Sequence, residues 1–414
     1  MTPQPTRSGG TRLASALVAA RAAAWLSRRL THGSGRAIGG RALLALAPNA
    51  PVELSTGRDI ALVTGTNGKS TTTAMLAAAL GTRFATASNT DGANTPNGLV
   101  STLADADEEH LALEVDEGWL PWAIQRLRPR CVVLLNLSRD QLHRNPEVHR
   151  LAKAWRPALT DVPLVVANAD DPAVVWAAEA AQSRIWVGAG QTWTVDSVVC
   201  PACGGLLTRT TGMAWECTAC GFHRPTPAWS ATRDGLRHHG QEVALALSVP
   251  GDVNLGNAAL AVAAAAADGV DPQEAADAIG AVQQVAGRYA QLPWGQHTVR
   301  LLLAKNPAGW DAALSALANS STPLVLGFNA EGVDGRDPSW LYDVSFERLA
   351  GRPIAVCGRR GTDMLVRLRM DDLATVGQFE SLDGALRSLP PGPVDVVANY
   401  SAFQEARRVL GDES

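Results

Sequence analysis

The stretch "ALVTGTNGKSTTTAML", residues 61–76, decides how this chain folds. An apolar run rich in leucine and valine ends at a glycine turn, then a lysine, then four consecutive hydroxyl residues. Such a run followed by small helix-forming residues reads as a buried strand feeding a helix. Polar groups gathered at that junction call for a ligand. In "GTNGKS" the glycines let backbone amides turn inward, and Lys69 supplies a point charge for the β and γ phosphates of a nucleotide. The hydroxyl of Ser70 or Thr71 is placed to hold Mg²⁺, and the helix N-terminus adds its positive end. Thr64, Gly65, Thr66, Asn67, Gly68, Lys69, Ser70 and Thr71 are therefore the expected ATP-binding loop.

Outward from this loop the texture repeats. "IALVTG", "LALEV", "CVVLLNL", "PLVVANA" and "RIWVGAG" are short apolar runs separated by helix-like stretches, the pattern of a parallel sheet covered on both faces. "NAALAVAAAAADG" resumes as a helix capped by Gly269. Alternation restarts after about residue 291 with "TVRLLLA", "TPLVLGF", "RPIAVCG" and "PVDVVAN". The chain of 414 residues is too long for one compact core. It divides into a basic N-terminal segment (1–50), an ATP-binding α/β domain (51–290) with an insert at 196–226, and a smaller Rossmann-like α/β domain (291–414).

The first 52 residues hold seven arginines and no acid. "TRLASALVAARAAAWLSRRL" reads as an amphipathic helix, and the composition fits three roles: a transit peptide, a membrane-surface helix, or a helix packed on the first domain. No apolar run is long enough to span a membrane. A net charge of −4 gives no reason to expect a nucleic-acid partner. Lysine occurs only at Lys69, Lys153 and Lys305, so in an arginine-rich chain Lys69 and Lys305 stand out as functional candidates, while Lys153 reads as surface.

Several strand ends carry polar side chains. Glu114 closes "LALEV", with Asp116 and Glu117 just beyond, where a nucleotide's magnesium is held; Ser70 and Glu114 are the expected magnesium ligands. "NLSRDQLHR" supplies Asn136, Asp140 and His143, and "NADDP" supplies Asn168, Asp170 and Asp171, each also a routine capping sequence. "CPAC" and "CTAC" place Cys200, Cys203, Cys217 and Cys220 in two knuckles with thirteen residues between them. Four thiolates fill a tetrahedral Zn²⁺ shell with no open position, so the metal is expected to be structural. Cys131 and Cys357 lie in apolar strands and read as buried small hydrophobes, and metal-type cysteine usage points to a reducing, cytoplasmic compartment.

"TGTNGKS" departs from the general phosphate-loop pattern, having Val63 where glycine is usual, and resembles the loop of the Mur ligases and folylpolyglutamate synthases. By that resemblance Asn254 and Asn257 of "GDVNLGNAALA" lie near the adenine, and Arg288 of "AGRYA" closes the domain; Ala290 stands where the family often has an acid. "LLLAKNPAGWDAAL", "LGFNAEGVDGRDPSWLYDVSFE", "SNTDGANTPNGL" and the four-cysteine insert resemble the ligase-like subunits of lipid II isoglutaminyl synthases, from about residue 30 to the end. The resemblance implies ATP-dependent amidation of the α-carboxylate of D-glutamate in the lipid II stem peptide, through an acyl phosphate. Ammonia would come from a class I glutaminase (GatD-like) partner in a heterodimer. It also implies that an aspartate of the second domain completes the partner's Cys–His pair: Asp334, Asp337 or Asp343, with Asp337 preferred at the end of a polar loop; Lys305 of the same domain is a further catalytic candidate. Since lipid II sits at the inner face of the membrane, the arginine-rich start is compatible with peripheral contact there. The competing readings are a Mur or folylpolyglutamate-type ligase that adds an amino acid, and a nucleotide-binding scaffold or zinc-ribbon nucleic-acid binder without catalysis.

Overall fold

The computed structural model describes residues 8–30, 35–89, 92–140, 148–210, 213–248, 251–282, 289–318, 320–329 and 337–411. Of the expected site residues, His143, Arg288 and Asp334 lie outside these.

Three helices, α1 (Ser8–Leu30), α2 (Arg36–Leu46) and α3 (Ala50–Ser55), precede the first strand. Small residues set their packing: Ala16 and Ala20 of α1 meet Leu43 of α2, with Ala47, Ala50 and Val100 completing a separate small core. Of the three readings of the N-terminal composition, the inner face of α1 therefore takes the packed one.

The first sheet follows: β1 (Asp59–Thr64), β2 (Thr86–Ser88), β3 (His110–Glu114), β4 (Cys131–Leu134), β5 (Leu164–Asn168) and β6 (Arg184–Gly188). A two-stranded ribbon, β7 (Leu207–Arg209) and β8 (Trp215–Cys217), then leaves the sheet, which resumes with β9 (Trp229–Thr232), β10 (Gly235–His238) and β11 (Gln241–Ala244). The order is β11-β10-β9-β6-β5-β4-β1-β3-β2. Strands β9 to β2 in that order run parallel, and β10 and β11 add an antiparallel edge. Helices α4 (Lys69–Gly81), α5 (Pro96–Asp105), α6 (Leu120–Leu127), α7 (Val148–Ala158), α8 (Pro172–Ala178), α9 (Asp252–Ala267) and α10 (Pro272–Gly280) cover it.

Alternation along the strands explains why both faces are buried. Ala61, Val63, Val133 and Val166 point into one core with α4, α9 and α10. Ile60, Leu62, Val132 and Leu134 point into the other with α5 to α8. Strand β1 lies between β3 and β4, so the chain leaves it first to one side and later to the other. Ligands of open α/β sheets bind at the carboxyl ends of strands around such a reversal, and the loop 65–70 follows β1.

The second sheet begins at Tyr289: β12 (Tyr289–Trp294), β13 (His297–Leu303), β14 (Leu324–Gly327), β15 (Ile354–Cys357), β16 (Gly377–Phe379) and β17 (Gly392–Ala398). Its order is β12-β13-β17-β14-β15-β16, parallel except for the edge pair β12–β13. Helices α11 (Pro307–Ala316), α12 (Gly361–Met370), α13 (Leu382–Arg387) and α14 (Tyr400–Leu410) flank it. Cys131 and Cys357 are buried in their strands, and Lys153 is exposed on α7. Among the described residues no helix is long and apolar enough to cross a membrane.

Candidate active site and its zinc ribbon

The backbone of the phosphate loop is fixed by its glycines. Gly68 sits at φ 86°, and a Cβ there would lie 2.6 Å from the Asn257 side-chain oxygen. Gly65, at φ 148°, would drive a Cβ to 2.8 Å from Leu135. Only glycine lets the loop pass between β4 and α9. Asn67 ties it to its surroundings: its amide nitrogen donates to Asn136 Oδ1 at 3.0 Å, and its side-chain nitrogen donates to Ser138 Oγ at 3.2 Å. Ser138 N donates to Thr66 Oγ1 at 3.0 Å.

Lys69 is the first residue of α4 and is buried. Its ammonium donates to the carbonyls of Gly65 (2.5 Å) and Thr66 (3.2 Å) and to Glu117 Oε2 at 2.8 Å. Burial works against its charge, but Glu117, Glu114 and Asp140 outweigh that and hold its pKa above the ordinary lysine value. Ser70 Oγ donates to Glu114 Oε2 at 2.5 Å, and Asn94 Nδ2 donates to Glu114 Oε1 at 2.8 Å. Asn89 grips the Glu114 backbone from both sides, accepting from its amide at 2.7 Å and donating to its carbonyl at 2.8 Å. A hydroxyl and a buried carboxylate side by side at the end of β3 are the oxygen donors a hard divalent cation takes. These residues fit magnesium.

Beyond the loop lies a cavity of about 290 Å³, lined by Asn67, Asn136, Trp193, Gly256, Asn257 and Ala312 among others. Both sheets' domains contribute walls to it. The expected asparagine pair divides its labour: Asn257 lines the cavity, while Asn254 accepts from Asn257 Nδ2 at 3.0 Å and orients it.

Two adjacent residues after β4 join the domains. Asp140 Oδ2 accepts from Lys305 Nζ at 2.6 Å. Burial would raise the Asp140 pKa, but Lys305 and, further off, Lys69 pull it below the usual carboxylate range. Arg139 Nη2 meets Asp343 Oδ2 at 3.0 Å and also pairs with Asp196. Asn306, the N-cap of α11, donates to Asn67 Oδ1 at 3.2 Å, so the second domain touches the phosphate loop itself. Asp337 is exposed, and its Oδ1 accepts the Ser339 amide at 3.0 Å. The structure thus brings Lys305 to the nucleotide loop, commits Asp343 to an interdomain ion pair, and leaves Asp337 on the surface as a turn cap.

Asp171, read as one of the strand-end acids, is a helix N-cap: it accepts from Ala173 and Val174 and also from Leu137 N at 2.8 Å. Burial pushes its pKa up against those bonds. Asp170 belongs to the ribbon, described below. Sequence reasoning passed over Asn94, Asn306, Arg139 and Trp193. Asn94 and Asn306 sat inside motifs already singled out, but nothing in their spacing told which ligand or loop each would meet.

The cysteine sulfurs lie within 4.8 Å of one another. Cys200 and Cys220 are 3.7 Å apart and Cys203 and Cys217 3.6 Å. Four sulfurs at about 2.3 Å from a tetrahedral zinc are separated by about 3.8 Å, so the residues fit the metal. Backbone amides of Cys220 and Ala219 outweigh burial and lower Cys217 to about 7, while against the Phe222 amide the neighbouring sulfurs push Cys220 up to about 12.

Comparison with known proteins decides the lineage. The Mur ligase middle domain matches residues 63–193, and the MurT ligase C-terminal domain matches residues 303–403. The chain is 27% identical to the MurT subunit of lipid II isoglutaminyl synthase (glutamine-hydrolyzing) from Streptococcus pneumoniae, over 95% of this chain and 96% of that one. It is 26% identical to the subunit of the same name from Staphylococcus aureus, over 76% and 78%. The chain thus carries a Mur ligase middle domain and a MurT ligase C-terminal domain, and is similar to MurT subunits over most of its length. Its fold is that of the Mur ligases: MurF from Acinetobacter baumannii superposes with a TM-score of 0.68 at 17% identity, covering 90% of this chain and 80% of that one. Within this family fold, the match to the MurT C-terminal domain begins at Leu303, two residues before Lys305.

Proposed function

We propose that this chain, an ATP-dependent carbon–nitrogen ligase of the MurT branch, amidates the α-carboxylate of D-glutamate in the lipid II stem peptide. A carboxylate oxygen attacks the γ-phosphorus of ATP and ADP departs, leaving an acyl phosphate. Ammonia then adds to the acyl carbon, phosphate leaves, and one ammonia proton is lost to give the amide of D-isoglutamine. Ammonia is supplied by a GatD-like glutaminase partner. Lys69 and the loop amides bear the growing charge on the phosphates, in a site walled by protein rather than water. Ser70 and Glu114 would hold magnesium, which would supply further positive charge beside the same phosphates. Lys305 and Asp140 hold the second domain over the loop, where the acceptor carboxylate would be enclosed.

The observation that carries this reading is the contact of the second domain with the first around the nucleotide loop, Asn306 on Asn67 of the loop itself and Lys305 on Asp140 of the neighbouring segment after β4. The chain copurified with its glutaminase should convert lipid II to the amidated form with glutamine and ATP. Conversion unaffected by Lys69→Ala would count against it. Product formed from a free amino acid with no glutaminase would favour the amino-acid-adding alternative.

The outer face of α1 supports a cytoplasmic enzyme in peripheral contact with the inner face of the membrane. Val18 (70% exposed), Trp25 and Leu26 lie open there beside Arg21, Arg28 and Arg29, with the Arg29 guanidinium 4.3 Å from the Trp25 ring centre. Apolar groups among cations suit an anionic lipid surface.

A further inference from the structure

Four thiolate ligands would make the ribbon's metal structural, but the ribbon's contacts lead into the nucleotide cavity. Strand β8 carries Trp215, whose indole donates to the Ala169 carbonyl at 3.2 Å, at the exit of β5. Two residues beyond the last knuckle's aromatic Phe222, Arg224 is tied back to the ribbon by its amide, which donates to the Trp215 carbonyl at 2.9 Å. The Arg224 side chain reaches Asp170 Oδ1 through Nε at 2.8 Å and Nη2 at 2.7 Å. Asp170 is almost wholly buried, its side chain 1% exposed. Its other oxygen accepts the amides of Gly190 (2.7 Å) and Gln191 (3.1 Å).

Those amides belong to the segment 189–193, which walls the cavity. The segment lies in no helix or strand, so side-chain contacts and its neighbours hold it in place. Asn168 Nδ2 donates to Gln191 Oε1 at 2.8 Å, and Trp193 Nε1 donates to Asp196 Oδ2 at 2.6 Å, at the foot of the ribbon. On the far side α9 presses close, since a Cβ on Gly256 would lie 2.2 Å from the Ala189 carbonyl oxygen. The wall is thus clamped between α9 and a carboxylate whose counter-charge comes from the ribbon.

We propose that the four-cysteine ribbon serves the nucleotide cavity, with Arg224 as a positioning residue that fixes wall 189–193 through Asp170. The inference rests on the reading that this cavity takes a nucleotide. Its physical basis is that a buried carboxylate is held rigid by charge-assisted hydrogen bonds to its guanidinium partner and loses that anchor when the partner goes. A loaded ribbon holds Arg224; a loosened one releases it, and the wall with it.

Calorimetry of ADP binding to the full-length protein tests this. Arg224→Ala should weaken ADP about tenfold, within the usual range for coupling between sites, and Arg224→Lys should recover part of the loss. With the partner present, the KM for ATP should rise while kcat stays near its wild-type value. Stripping zinc with a chelator should weaken ADP to a similar extent, and zinc should restore it. Equal ADP affinity in wild type and Arg224→Ala, or in loaded and stripped protein, would overturn the inference. An Arg224→Ala chain too unstable to purify leaves the chelator arm to decide. Wild-type protein that takes up no ADP at all would instead defeat the nucleotide reading beneath it.

Discussion

Lys305, just past β13, donates to Asp140, just past β4, across the junction of the two domains at 2.6 Å. One residue back, Arg139 reaches Asp343 at 3.0 Å, so neighbouring positions of a single loop hold the second domain at two points. The proposed acyl phosphate would need such closure over the phosphate loop to be kept from water. The side chain of Asp140 is 8% exposed and that of Lys305 18%, so screening by solvent is modest.

A double-mutant cycle should measure that latch. Lys305→Ala and Asp140→Asn are each expected to lower kcat, and the pair to lose less than the sum, with a coupling of about 1–3 kcal/mol. Strict additivity in ATP-dependent amidation would show that the two residues act separately.

The same bridge sets an acid limit. Asp140 has its folded-state pKa depressed, by Lys305 first and then Lys69, against the opposing effect of burial. Its contribution to stability is therefore fully present above the unfolded carboxylate value near 3.8, and is lost as pH falls through the lower folded value. Lys69 runs the other way: its raised pKa gives stability present below 10.5 and lost as pH rises through the folded value. Melting temperature between pH 5 and 9 should show no step from either pair. In Asp140→Asn the acid arm of the profile should flatten, which differential scanning calorimetry from pH 5 down to pH 2 checks.

Within the phosphate loop, Lys69→Ala should abolish ATP consumption to the extent of about 100-fold or more, as for loss of a charge-stabilising donor. Glu117→Gln is the informative companion. It removes the carboxylate nearest the Lys69 ammonium but leaves the Glu117 carbonyl that accepts from Trp155 at 2.8 Å. The chain should fold and bind ADP, with the Lys69 pKa lowered. A Glu117→Gln enzyme as inactive as Lys69→Ala would give Glu117 a role in the reaction itself.

Much of this was legible in the residues. "ALVTGTNGKSTTTAML" announced strand, loop and helix because burial on both faces demands an unbroken apolar run, and phosphate chemistry demands glycine, lysine and hydroxyls in that order. The cysteine knuckles declared their geometry by spacing alone. The edge strands β9 to β11 were not legible: "WSAT", "GLRH" and "QEVA" bury Trp229, Leu236 and Val243 in the core but carry exposed polar residues between them. Such short half-polar runs have no periodicity to separate them from the ribbon. Nor could spacing reveal that Asp170 serves Arg224 or that Asp343 serves Arg139, because those partners lie 54 and 204 residues away and meet only when the sheets are built.

The outer face of α1 predicts lipid binding by charge and apolar insertion together. The full chain should float with vesicles containing phosphatidylglycerol and not with vesicles of phosphatidylcholine alone. Arg21→Ala with Arg28→Ala, or Trp25→Ala, should reduce the bound fraction several-fold without changing the melting temperature, since these side chains stand outside the small core of α1. Each basic residue near an anionic surface contributes about 1 kcal/mol, so two should suffice. Flotation that matches that of a chain lacking residues 1–40 would remove the face from consideration.

Asp337 is the acid we propose to face the partner, because among the described candidates it alone is exposed and unpaired with a cation. Hydrogen bonds from Ser339 hold its carboxyl below the usual range, so it is ionised at neutral pH. An ionised acid on an exposed turn is suited to orient an imidazole supplied by a docked glutaminase. Asp337→Asn should leave folding and ADP binding intact, yet cut glutamine hydrolysis by the complex by up to about 10,000-fold, the loss that follows neutralising an orienting acid. Asp343→Asn should instead act through Arg139, weakening interdomain contact while glutamine hydrolysis persists. Asp334→Asn, measured alongside, completes the comparison. Normal glutaminase turnover in the Asp337→Asn complex would transfer the role to whichever of the other two variants loses it.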